Sequence, residues 1–161
     1  MGFLDDAVTV LASRVGWKTP SPDADGAWFF HLADGLDFAL FALDDRNIVI
    51  RGEVAPVPQE GSARDAFLAE AAGRQAGVCR KRPSILALEG SGQSLISSPP
   101  AGEYLILYRL LTPEQGQAAF EVSVRDFLND LAWWKAATGA EQPASPVFDM
   151  GMNAMFMGSR Y

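Results

Sequence analysis

Two side chains in this sequence could serve as nucleophile or general base near neutral pH: the single histidine, His31, and the single cysteine, Cys79. His31 falls within the apolar run Trp28-Phe29-Phe30-His31-Leu32. No second histidine exists to complete a dyad, so a structural or edge role is expected of it. Cys79 precedes Arg80, Lys81 and Arg82, cations of the kind that activate a thiol. A lone thiol with no adjacent base nevertheless reads as inert. Zinc needs several His or Cys ligands, and two such residues in all exclude a typical zinc site. Asp23-Ala24-Asp25-Gly26 has the look of a calcium loop, but the remaining ligands and the closing Glu are missing, so a turn is expected. Gly90-Ser91-Gly92-Gln93-Ser94 lacks the Gly-Lys-Ser/Thr of a phosphate loop and does not fit the nucleophile elbow. Asp44-Asp45 sits in a turn, where solvation accounts for it. The inventory therefore predicts no enzyme, no metal and no cofactor; only a hydrolase built from carboxylates alone stays open.

The elements that would position such groups belong to one domain. The chain has 161 residues, 48% of them hydrophobic, enough to bury a substantial core. Its formal net charge of −7 and pI near 4.6 argue against nucleic acid and anionic lipid as partners. One cysteine allows no intramolecular disulfide. The N-terminus shows no basic stretch before an apolar core, Asp6 spoils a myristoylation motif, and no apolar run is long enough for a membrane span. A cytoplasmic protein is expected.

Phe3, Leu4, Ala7, Val8, Leu11, Ala12 and Val15 recur at helical spacing, and Gly16 ends that helix. Strands are expected at 27–32, 36–43 and 48–54, joined by the turns Ala33-Asp34-Gly35 and Asp44-Asp45-Arg46-Asn47 into an antiparallel meander. Ser62-Ala63-Arg64-Asp65 resembles a capping box opening an Ala-rich helix to about residue 75. Strands at 84–88, 94–97 and 103–111 follow. Thr112-Pro113-Glu114-Gln115 then starts a long helix, expected to reach about residue 138 with Gly139 as its cap. The fold class is α+β: helix, three strands, helix, further strands, helix, with an antiparallel sheet of five to six strands.

The strands are apolar on both faces. In the second, Phe38, Leu40 and Ala42 oppose Ala39, Phe41 and Leu43; residues 103–111 repeat the pattern. A sheet with one solvated face should alternate apolar and polar. Either the chain's own helices or a subunit cover both faces, or one face receives a partner.

The element order, the acidity and three local stretches resemble the class I type III secretion chaperones, the Tir-chaperone-like family. The stretches are Phe3-Leu4-Asp5-Asp6-Ala7, the pair Leu36-Asp37-Phe38-Ala39-Leu40 with Ile48-Val49-Ile50, and the closing helix from Phe120 to Trp134. The resemblance spans roughly residues 1–138 and implies a homodimer that binds an extended N-terminal segment of a secreted effector and keeps it secretion-competent. A regulatory or structural binding module of the same fold, without a secretion role, is the alternative. Trp28, Phe30, Phe38, Leu40, Tyr104 and Ile106 become candidate partner contacts, and Phe67, Leu68, Ile85, Leu86 and Leu88 candidate dimer contacts. The chain departs from the family in an Ala-rich second helix, a longer stretch from residue 94 to 111, and a tail at 141–161 carrying Phe148, Met150, Met152, Met155, Phe156 and Met157. The expected division is a chaperone-like domain at 1–140 and a Met/Phe-rich tail that either docks on an apolar groove or frays.

Overall fold

The computed structural model describes residues 3–32, 35–44, 47–90, 102–111 and 116–139. Helix α1 spans Phe3–Val15, with Asp5 and Asp6 in its first turn, where acidic side chains complement the helix dipole. Leu4, Ala7, Val8 and Leu11 form its buried stripe. Gly16, at φ 73°, ends it as expected, and Trp17 N–H then donates to the Ala12 carbonyl at 2.9 Å.

Strands β1 (Trp28–Phe30), β2 (Phe38–Ala42) and β3 (Ile48–Pro56) form the expected antiparallel meander. Helix α2 covers Ser62–Val78. The capping box anticipated at its start does not form: Gly61, at φ 79°, is the cap and no side chain bonds there. The Gly61 carbonyl instead accepts from the Arg64 and Asp65 N–H groups at 3.1 and 3.2 Å. Strands β4 (Ile85–Gly90) and β5 (Glu103–Leu111) are antiparallel partners, and α3 runs from Gly116 to Ala137. Gly139 follows α3 at φ 73°, the cap its position promised. The expected strand at 94–97, the helix start at 112–115 and the tail at 141–161 lie outside the described residues.

The five strands run in the order β1-β2-β3-β5-β4, so β5 inserts between the meander and β4. Among the described residues this is an α+β fold of three helices and one antiparallel sheet. The register puts Trp28, Phe30, Phe38, Leu40, Ile48 and Ile50 on one face with Gly52. Leu105, Leu107 and Leu111 of β5 join them. All three helices pack on this inner face: α3 contributes Phe120, Val124, Phe127, Leu128, Leu131 and Trp134, α1 its buried stripe, and α2 Ala71.

Gly52 sets how closely α3 can lie. A Cβ there would stand 2.7 Å from Leu131 Cδ2 and 3.3 Å from Phe127 Cζ. Leu131 and Phe127 are themselves fully buried, so they have little room to yield. Gly52→Ala is expected to destabilise the chain by about 1–3 kcal/mol, and Gly52→Val by more, in urea unfolding; unchanged midpoints would show that the helix seat can shift freely.

Candidate partner-binding surfaces

Two surfaces stand out, and each follows from the one-sided placement of the helices. The first is the outer face of the sheet. In register across it run Phe29, Ala39, Arg51, Tyr108 and Ile85. A second row holds Phe41, Val49 and Leu110. Phe29, Phe41, Val49 and Tyr108 are half-buried, whereas Ile85 and Leu110 are exposed by 63% and 57%. The patch is apolar, as the two-sided strand pattern anticipated, and no described helix packs on it.

A buried ion pair ties this face together. Arg51 on β3 reaches across β5 to Glu89 on β4: its Nε donates to Glu89 Oε2 at 3.0 Å, and its Nη2 donates to the same oxygen. Arg51 is 1% exposed and Glu89 8%. Tyr108, on the intervening strand, lies with its hydroxyl 3.5 Å from the same carboxylate oxygen. The two long side chains meet over β5, whose outer-face residues there are Tyr104, Ile106 and Tyr108; Cα partners on adjacent strands are only about 5 Å apart. Arg51 Nη1 has no partner among the described residues. Removing one member of such a pair strands a charge out of water, which costs far more than the intact pair contributes.

Glu53 lies two residues beyond Arg51 on the same face and pairs in register with Ile106. Burial pushes its carboxyl above the ordinary range. Arg51 and Lys135 oppose that shift, and Asp37 and Glu89 add to it.

The second surface is β4, the edge strand of the described sheet, and the groove beside it. Between α2 and β4 lies a groove of about 430 Å³ lined by Leu68, Ala71, Gln75, Cys79, Leu86 and Leu88. Gln75 Nε2 donates to the Ser84 carbonyl at 3.4 Å, while its Oε1 is buried without a partner among the described residues. The other sheet edge, β1, has only three residues, a length that blunts unwanted pairing.

The residues expected from sequence divide between these places. Trp28, Phe30, Phe38 and Leu40 are buried in the inner core, with Phe30 and Phe38 stacked at 4.7 Å and Trp17 against both. The helices cover them, so the meander's contribution to an accessible surface is Phe29, Phe41 and Val49 instead. Tyr104 and Ile106 are on the outer face, Tyr104 half-buried and Ile106 fully buried. Of the dimer candidates, Leu68, Leu86 and Leu88 line the groove; Phe67 packs on the core beside it, and Ile85 points to the outer face.

The groups capable of chemistry are dispersed. His31 is exposed and sits 3.3 Å from Asp37. Cys79 is exposed at the end of α2, its thiol 3.4 Å from the Ala76 carbonyl. Arg82 turns away from it to donate to Asp130 Oδ1 at 2.7 Å and to lie over the Trp133 ring. Asp23 Oδ1 accepts from the Asp25 and Ala27 N–H groups, which makes its loop an Asx turn. Among the described residues no group of three or more His, Cys, Asp or Glu could hold a metal, and no helix is long and apolar enough to cross a membrane.

Two expectations follow for the outer face. Arg51→Met should cost about 3–5 kcal/mol in chemical denaturation, and adding Glu89→Leu should restore most of it, because the double variant leaves no buried charge alone; additive losses would mean the two groups are uncoupled. Glu53 acts with the opposite sign to a salt-bridged carboxylate. Only between the usual glutamate value of about 4.3 and its raised value does the folded chain hold a proton that the unfolded chain has released, so stability falls as pH rises through that interval. Glu53→Gln should therefore raise the melting temperature at neutral pH and lose that advantage below about pH 4; a gain independent of pH would exclude the desolvated carboxylate as its source.

No protein-family model matches the sequence, and no curated protein matches it. Solved structures do. A chain of the ExsC–ExsE complex aligns with 90% of this chain and 99% of its own length, at 16% identity and TM-score 0.58. A chain of the HopA1–SchA chaperone–effector complex covers 83% of this chain and 94% of its own, at 12% identity and TM-score 0.53. The Yersinia pestis type III secretion chaperone SycH, in complex with a stable fragment of YscM2, covers 79% and 98%, at 14% identity and TM-score 0.45. On the first two alignments, nearly the whole described chain shares the fold seen in those complexes.

Proposed function

We propose that this chain is a non-enzymatic chaperone of the type III secretion kind, which binds an extended N-terminal segment of a secreted effector and keeps it secretion-competent. The observation that carries the reading is the outer sheet face: Phe29, Phe41, Val49, Tyr108, Leu110 and Ile85 form an apolar surface on the side opposite all three described helices. A sheet face of that character in water calls for a partner. The shared fold with a chain of a chaperone–effector complex supports an effector segment as that partner. An extended segment suits the surface, since alternate side chains can enter it while the backbone pairs with a free sheet edge.

In this reading the protein works in the cytoplasm as a homodimer. The α2–β4 groove is the place for a second copy, with Leu68, Leu86 and Leu88 at its centre and Phe67 and Ile85 at its borders. The exposed alanines of α2 let another element approach closely. Residues 1–140 are the chaperone domain, and the Met/Phe-rich stretch at 141–161 is an appendage to it. The dispersed positions of His31 and Cys79 and the turn role of Asp23 support a protein that binds rather than one that catalyses.

The test is purification from the native host followed by mass spectrometry and light scattering. A single secreted protein should co-purify with a dimer of twice the 17.4 kDa chain. Leu110→Asp should abolish co-purification without altering dimer mass, and Leu88→Asp should dissociate the dimer. Recovery of a monomer with no partner would overturn the reading.

A further inference from the structure

The outer face carries one charged group that nothing described neutralises by contact. Arg51 is committed to Glu89, and Asp37 to His31. Arg64 is committed to Glu103, Arg82 to Asp130, and Lys135 donates to the Gly35 carbonyl at 2.9 Å. Glu53, by contrast, makes no hydrogen bond or ion pair among the described residues, although it is half-buried on β3 opposite Ile106. A segment laid over this face would strip the remaining water from that carboxylate. An apolar segment would leave an anion in an apolar contact, which is strongly unfavourable. A segment bringing a cation would convert the same desolvation into a charge-assisted pair. The net charge of −7 draws such a segment toward the surface.

We propose that the segment bound on the outer face carries an arginine or lysine set among alternating apolar residues, and that this cation pairs with the Glu53 carboxylate. The inference rests on the reading that the outer face receives an extended client. Same-face residues of an extended chain repeat about every 7 Å, which is also the spacing of Val49, Arg51 and Glu53 along β3. A client running alongside β3 with its cation at Glu53 therefore sets its residues two and four positions away over the Arg51 and Val49 rows, where Tyr108, Val49 and Leu110 offer apolar contact. Glu53 thus fixes the register in which an otherwise slippery apolar segment binds.

The test is to pan a phage library of random 12-residue peptides on the immobilised full chain and on Glu53→Gln, then measure the selected peptides by titration. Peptides from the native chain should share one Arg or Lys flanked by apolar residues, and should bind Glu53→Gln roughly tenfold more weakly. Their binding should be lost on Val49→Asp, which leaves Glu53 in place. Enrichment of purely apolar peptides, or tighter binding to Glu53→Gln, would overturn the pairing while leaving the client face standing. No enrichment on either protein, or binding indifferent to Val49→Asp, would overturn the client face and the pairing together.

Discussion

The seat of α3 on Gly52 is the constraint from which the rest of the architecture follows. A side chain at that position would meet Leu131 and Phe127, so the glycine lets a 22-residue helix lie directly against the middle of the sheet. Once α3 occupies that side, α1 and α2 complete the same layer, and one face of the sheet becomes the core. No described helix packs on the other face. That face copes by spanning the sheet with Arg51 and Glu89 and by burying Ala39 and Ile106 among larger neighbours.

Much of the element order was legible in the sequence, since periodicity and punctuation act locally. The apolar spacing of Phe3–Val15 and its closing Gly16 correspond to α1 residue for residue, and the turns around Gly35 and Asn47 sit between paired strands. The choice of face was not legible from β2, because Phe38-Ala39-Leu40-Phe41 is apolar in both registers. The signal lay one strand away. In β3, Ile48, Ile50 and Gly52 alternate with Val49, Arg51 and Glu53, and only the first set suits a helix-covered core. Carrying that register across to β2 places Phe38 and Leu40 inside, which is why the meander's largest aromatics are core residues. The Arg51–Glu89 pair joins residues 38 positions apart, and no local pattern announces it. At Ser62 the local pattern misled, because a positive-φ glycine just before it supplied the turn that a side chain was expected to cap.

The outer face combines properties that pull against each other. Its apolar side chains favour association with almost any extended hydrophobic segment, while its buried and half-buried charges restrict which segments fit. Arg51 and Glu89 pair with one another and are both buried, so they present little to a visitor. Among the described residues, Glu53 is satisfied by nothing in contact with it. An apolar surface supplies affinity without discrimination, and a single desolvated charge within it supplies discrimination. The dispersed histidine, cysteine and aspartates contribute to neither.

The position of β5 has a kinetic consequence. It pairs with β3 on one side and β4 on the other, yet roughly fifty residues separate β3 from it along the chain. The meander and the β4–β5 hairpin each close through shorter connections, whereas the β3–β5 seam must overcome the entropy of joining two distant parts. Until that seam closes, Ile48–Pro56 is an unpaired apolar edge on an emerging chain, and α3, whose seat is Gly52 on that same strand, has only half a sheet to rest on. The joining of β3 to β5 is thus the step at which two local assemblies become one cooperative unit.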